Sequence, residues 1–321
     1  MNKWTKVAAA LVPALLLCAT AAAQQWPQKA VRLVVPFPPG GNVDIAARIV
    51  GNRFQDILGQ PFVVENRPGA GGMIAGDFVA AAAPDGYTYF VGAIGPLLFS
   101  PVINGRANFD WRASFVAVGA ISFTPLVLQV HPSVDARSVK ELIELARKRG
   151  LFMASGGQGS TNHLVSELLQ TLTGAKWTTV TYKGNAPALT ALMSGEVQFS
   201  FEQVSVALPL LRDGKSRALA VTSRKRFGQL PEVPSFEEQG FKDFEAVTWT
   251  GLFGPARTPA PVVTRLNEVM RAVVQETDIA KKFTDLGSDV RALSPQEFTD
   301  YVNLENDRWV PVIKRANIKG N

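Results

Sequence analysis

The chain has 321 residues, 46% of them hydrophobic, and a formal charge of +6 from 33 Lys and Arg against 27 Asp and Glu. Two histidines and one cysteine are too few for a His/Cys metal cluster, although an all-oxygen site stays open. The basic excess is modest and carries no aromatic-basic interleaving, which argues against nucleic acid as a partner.

Residues 1–23 have the pattern of a cleavable secretory signal peptide. Lys3 and Lys6 precede an apolar run from Val7 to Cys18, and Ala21-Ala22-Ala23 offers a small-residue cleavage site before Gln24. The run is too short for a membrane span, and Leu17 is too large to precede a lipidated cysteine. Cleavage removes the only cysteine, so a soluble periplasmic protein without disulfides is expected, held together by its core alone.

Strand and helix patterns then alternate. "VRLVVPF" is a buried strand, "PPGGN" a turn, and apolar spacing predicts a helix from Asp44 to Leu58 that Gly59 stops. "PFVVEN" at 61–66 and "YTYFVG" at 87–92 are strands on either side of a glycine-rich turn and an Ala-rich helix. Ser138 and Glu141 form a capping box for a helix ending at Gly150. "LFMAS", a helix ending near Gly174, "WTTVTY", a helix opened by Pro187 and "VQFSF" continue the alternation. Ser294, Pro295 and Glu297 start a last helix. This order predicts an α/β fold of two lobes, each a mainly parallel sheet flanked by helices. Crossing strands near 121–130 and 244–253 would join residues 24–124 and 247–321 (lobe one) to residues 125–246 (lobe two).

Nucleotide motifs fail on spacing. Gly157-Gln158-Gly159 is followed by Asn162 where a dinucleotide fingerprint needs glycine, and "GKS" at 214–216 has Pro209 in place of the first phosphate-loop glycine. No G-x-S-x-G elbow occurs, and His131 and His163 both suit structural roles in turns. No cofactor and no catalytic constellation is expected. Three strand-to-helix loops remain as ligand cradles: "PFPPGGNVD", "ASGGQGSTNH" and "YKGNAPAL". Glycines let a ligand approach the backbone, and the following helix N-terminus attracts anions.

The segments "VPFPPGGNVDIAAR", "GQPFVVENRPGAGG", "AAPDGYT", "ASGGQGSTNHL", "YKGNAPALTALMSGEVQFSF", "RALAVTSRKR" and "LFGPARTPAPVVTRLN" closely resemble the Bug family. These are the TctC-like extracytoplasmic receptors of tripartite tricarboxylate transporters, and the match runs from Trp26 to about Ile313. The resemblance implies a two-lobed (type II-like) periplasmic binding protein, a monomer, that closes on a small organic acid or a related amide or amino compound. It would deliver this solute to a membrane permease of one large and one small subunit, or present its closed form to a sensor kinase. It is not expected to be an enzyme. Positions matching the family's cleft loops are Phe37, Gly40, Gly41, Asn42 and Asp44, and Ser155, Gln158, Ser160, Thr161 and Asn162. Gly184, Asn185, Ala186 and Glu202 complete the candidate set. Asp44 is expected to tie down its own loop. Asn42, Asn185 and Glu202 depart from the common family pattern. Glu202 either lines the cleft, disfavouring a second carboxylate there, or caps the next helix or pairs with a lysine.

Overall fold

The computed structural model describes residues 26–315 apart from 107–108, 183 and 243; the expected signal peptide lies outside the described residues. Strand β1 (Val31–Val35) is buried at four of its five positions, as a parallel strand covered on both faces must be. It pairs in parallel with β2 (Phe62–Asn66) on one side and β3 (Thr88–Ala93) on the other. Helix α1 (Asn42–Leu58) returns between β1 and β2, burying Val43, Ala46, Ala47, Val50 and Phe54 before Gly59 ends it. It begins two residues earlier than its periodicity indicates, because Gly41 takes the N-cap position. Helix α2 (Met73–Ala80) connects β2 to β3.

The next strand, β4 (Phe115–Val130), belongs to both halves of the molecule. Beyond it come α3 (Val139–Lys148), β5 (Phe152–Ser155), α4 (Thr161–Thr173), β6 (Thr178–Thr181), α5 (Asn185–Met193), β7 (Phe199–Gln203), α6 (Val204–Arg212) and β8 (Arg217–Val221). Strand β9 (Val247–Pro255) then leads to α7 (Ala260–Gln275), α8 (Thr277–Asp285) and α9 (Pro295–Arg315). Strand order is β2-β1-β3-β9-β4-β7-β5-β6, with β8 also on β4. β4 pairs antiparallel with β9 from Phe115↔Pro255 to Pro125↔Val247, and its next residue, Leu126, pairs with Gln203 of β7. The sheet is thus mixed: β2-β1-β3 and β6-β5-β7 are parallel, and the central β9-β4 ribbon runs antiparallel to its neighbours.

Side chains alternate across this ribbon. Phe123 and Trp249, a cross-strand pair, turn toward α9, where their rings meet Tyr301 (5.3 Å) and Phe298 (5.6 Å) edge-on. Burying aromatic groups of this size contributes about 1.5–3 kcal/mol each. One core runs unbroken from Val34 and Phe90 through Phe123 and Trp249 to Phe199 and Phe236, so the two halves share apolar packing at the ribbon.

Away from the ribbon the halves also come close at two glycines. Gly159, before α4, leaves room for Ile103: an added Cβ would stand 2.3 Å from Ile103 Cδ1. Gly287 closes α8 with φ +75°, Ser288 N–H bonding back to the Phe283 carbonyl at 2.9 Å. There an added Cβ would lie 2.7 Å from the backbone nitrogen of Ser205 at the start of α6. Backbone cannot yield as a flexible side chain can. Gly287→Ala is therefore expected to lower the unfolding free energy by about 1–3 kcal/mol, from strain plus displacement. Urea unfolding checks this, and a change of only a few tenths of a kcal/mol would contradict the close approach.

Candidate functional site

The loop after β1 is built around one buried carboxylate. Asp44, 2% exposed, sits in the first turn of α1 and accepts from Gly40 N–H (2.9 Å), from Arg48 through Nε (3.0 Å) and Nη2 (2.9 Å), and from Asn66 Nδ2 (2.9 Å). Burial pushes the pKa of Asp44 up, but the bonds from Arg48, Gly40 and Asn66 outweigh it and hold the group below its ordinary value. Asn66, at the end of β2, also donates to the Phe37 carbonyl at 2.9 Å. Asp44 is thus bonded to its own loop through Gly40 and to the end of β2 through Asn66.

Asp44 leaves the front of the helix open. The N-cap residue, Gly41, has no side chain to cap with, and the first backbone bond back into the loop is Ile45 N–H to Gly41 O at 3.0 Å. The N–H groups of Gly41, Asn42 and Val43 have no acceptor among the described residues. A helix N-terminus with free donors carries partial positive charge without any cation. Asn42 turns its side chain aside, donating to Thr124 Oγ1 at 3.2 Å, and Thr124 is in turn bonded to Ser288 Oγ at 2.7 Å.

The second loop is self-braced. Ser155 Oγ donates to Gly157 O (2.9 Å) and lies 3.2 Å from Ser160 Oγ; Ser160 caps α4 by accepting His163 N–H (3.3 Å). Gly159 N–H donates to His163 Nδ1 at 3.0 Å. The His163 ring is thereby engaged by its own loop, and no hydrogen bond joins it to the hydroxyl of Ser160 or Thr161 among the described residues. A Ser–His nucleophile is not assembled there. Gln158 is exposed, and Thr161 is buried beside Asn162.

Glu202 ties the second loop to the third. At the end of β7 it is 1% exposed, and its Oε1 accepts from Asn162 Nδ2 (3.2 Å), Asn185 Nδ2 (2.9 Å) and Gln203 N–H (2.9 Å). Asn162 also donates to the Phe201 carbonyl at 2.8 Å. Gly184, the uncapped N-cap of α5, donates to Gly156 O at 2.9 Å, with Ala186 exposed just beyond it. Glu202 thus braces the second loop against the third. Its partners among the described residues are amides and a backbone N–H. Burial drives its pKa up to about 7, against the opposing bonds from Gln203 and Asn162.

Sequence reasoning passed over Arg48, Asn66, Thr124 and Ser288. The last two sit in strand and loop patterns where polar alternation was the available signal. A separate groove of about 570 Å³ lies on the α9 side of the ribbon, among Arg224, Arg291, Arg308, Glu245 and Glu305. Two of its arginines are paired, Arg224 meeting Glu245 at 2.9 Å and Arg308 meeting Glu305 at 3.9 Å, while Arg291 lies over the Phe123 ring at 4.2 Å.

Residues 46–318 match the family model described as the tripartite tricarboxylate transporter family receptor, TctC. Among solved structures, Rpa4515 of R. palustris with adipate is 36% identical, with a TM-score of 0.83 over 92% of this chain and 99% of that one. The periplasmic binding protein BugD is 31% identical, with a TM-score of 0.80 over 92% of this chain and 100% of its own. MatC (Rpa3494) from Rhodopseudomonas palustris, with bound malate, is 32% identical, with a TM-score of 0.80 over 90% and 100%. The two-lobed periplasmic binding protein fold is common to this chain and these neighbours.

The Glu202 carboxyl holds its proton more tightly in the folded chain than at its ordinary value of 4.5. Its contribution to stability is thus fully present below pH 4.5 and is lost as pH rises to about 7. Glu305, likewise raised to about 7 by burial, adds to the same window. Glu202→Gln is expected to flatten part of the decline and leave the Glu305 share. Urea midpoints measured from pH 4 to 8 check this, and an unchanged slope would contradict it.

Proposed function

The chain belongs to the tripartite tricarboxylate transporter receptor family, whose members are periplasmic solute-binding receptors rather than enzymes, and on that premise we propose how it captures its solute. A small organic acid enters between the lobes and places a carboxylate on the open N–H groups at the start of α1. Phe37, Gly40 and Gly41 shape that wall, and Ser155, Gln158, Ser160, Thr161 and Asn162 supply the facing one. Gly184, Asn185 and Ala186 form its edge, with Glu202 holding the loops in place. The carrying observation is the uncapped N-terminus of α1. Its neighbouring carboxylate, Asp44, is consumed by Arg48, Gly40 and Asn66 and so does not fill the positive end itself. Rpa4515 with adipate and MatC with malate support a carboxylate as the ligand class.

The switch of β4 from β9 at Pro125 to β7 at Leu126 supports lobes of 24–124 with 247–321, and 125–246. Export through a signal peptide cleaved after Ala23, a monomeric shuttle, and delivery to a permease of one large and one small subunit complete the reading.

Thermal unfolding against mono-, di- and tricarboxylates and their neutral amides tests it, using protein unfolded and refolded to strip carried-over ligand. A ligand at one hundred times its dissociation constant adds about 2.7 kcal/mol of stability, enough to raise the melting temperature by several degrees. The expected result is a rise with particular carboxylates and none with the matching amides. Folded protein that responds to no carboxylate would overturn the proposal.

A further inference from the structure

One face of α9 lines a cavity. Tyr301, Leu304, Glu305 and Arg308 recur at helical spacing, and all four border the groove of about 570 Å³. Arg224, just after β8, and Glu245, just before β9, border it too. None of the groove's lining residues belongs to the three strand-to-helix loops, so it is a separate cavity from the solute site.

The groove combines an apolar surface with an unspent cation. Leu304 is 65% exposed, the most of any large apolar side chain among the described residues, and Tyr301 beside it is half-buried. A single exposed leucine means little. Next to an aromatic ring on a cavity wall, it is a surface that an apolar body can cover. Arg291, also in the lining, rests 4.2 Å over the Phe123 ring and has no hydrogen bond or ion pair from its side chain among the described residues. Contact with a ring face leaves the guanidinium fork without an acceptor.

The acids of the groove do not cancel that charge. Glu245 is engaged by Arg224 at 2.9 Å. Glu305 is 5% exposed, accepts from Trp309 Nε1 at 3.1 Å and has Arg308 at 3.9 Å. Burial pushes its pKa up to about 7, so near neutral pH it carries only part of a negative charge. Three arginines against two carboxyl groups therefore leave the lining positive.

We infer that this groove is a second ligand site, separate from the solute cleft, which takes an organic monoanion with an apolar ring or chain. The carboxylate of such a ligand is held by the Arg291 guanidinium, whose planar fork matches its two oxygens. The apolar body covers Tyr301 and Leu304, and the cavity is of the size that small-molecule sites have. The two sites select differently. Backbone donors at the start of α1 recognise the carboxylate alone, whereas the groove requires charge and apolar surface together. The inference does not depend on the receptor function proposed above.

Amide NMR of ¹⁵N-labelled protein titrated at pH 7 with benzoate, neutral benzamide and acetate tests it. Benzoate is expected to shift the amides of Arg291, Tyr301, Leu304 and Glu305 saturably, and benzamide and acetate to leave them in place at the same concentration. Arg291→Gln is expected to weaken benzoate at those amides by about ten-fold, and Leu304→Ala by about three-fold. Both side chains are exposed, so both variants are expected to keep the wild-type melting temperature, which shows that the fold is intact. Benzoate shifts on α9 that neither variant weakens would overturn the inference. So would acetate acting as strongly as benzoate, which would mean an adventitious ion only. Benzoate shifts confined to Gly41, Asn42 and Val43 would place it in the solute cleft, overturning the second site while leaving the receptor reading intact.

Discussion

Sixteen residues of β4 must satisfy two partners in succession, and the rest of the molecule is arranged around that requirement. Up to Pro125 the strand completes the sheet of β2, β1, β3 and β9; from Leu126 it completes the sheet of β7, β8, β5 and β6. A strand committed on both edges has little freedom to slip, since a one-residue shift would turn Phe123 away from α9 and Thr124 into it. The same alternation that anchors the aromatic pair on α9 puts hydroxyls on the opposite face. The aromatic core contact and the hydroxyl face are therefore two sides of one register.

The site built on this ribbon handles charge by moving it inward. Asp44 is the obvious acid beside the positive end of α1, and it is drawn behind the loop by Arg48, Asn66 and the Gly40 N–H. Glu202 does the corresponding work in the other half, gathering Asn162, Asn185 and Gln203 on one oxygen. Both carboxylates brace loops, while the groups left facing outward are backbone donors and neutral polar side chains. An arrangement of fixed dipoles binds an anion with little reorganisation, and closure strengthens it by excluding water. Gly159 against Ile103 and Gly287 against Ser205 are two places where the halves pack closely.

Local signals carried most of the fold. The capping box at Ser138 and Glu141 is present, Ser138 Oγ accepting Glu141 N–H at 3.2 Å, though the Glu141 carboxylate bonds Arg137 N–H and α3 ends at Lys148, before Gly150. The box at Ser294 and Glu297 closes in both directions. The Gly59 stop and the strand-to-helix loops were legible for the same reason: each depends on residues a few positions apart. What escaped was the set of contacts between distant segments. Asn42 reaches Thr124 across 82 positions and Thr124 reaches Ser288 across 164, and no local pattern encodes such a meeting. Predicted strands at 121–130 and 244–253 captured the ribbon but missed its length and its antiparallel run, because β4 extends back to Phe115 through two register shifts. Glu202 could be placed at a strand end from sequence, but its partners lie on two other loops.

The central claim is that backbone donors at the start of α1 hold the solute's carboxylate. The most direct test is amide proton NMR of protein labelled with ¹⁵N and titrated with the carboxylate that binds. The account predicts that the amide protons of Gly41, Asn42 and Val43 move downfield together as the site fills, as N–H groups do on bonding an anionic oxygen. If those three stay in place while the protein saturates, or if the shifts gather instead around Arg224, Arg291 and Arg308, the carboxylate is held elsewhere and the account is wrong.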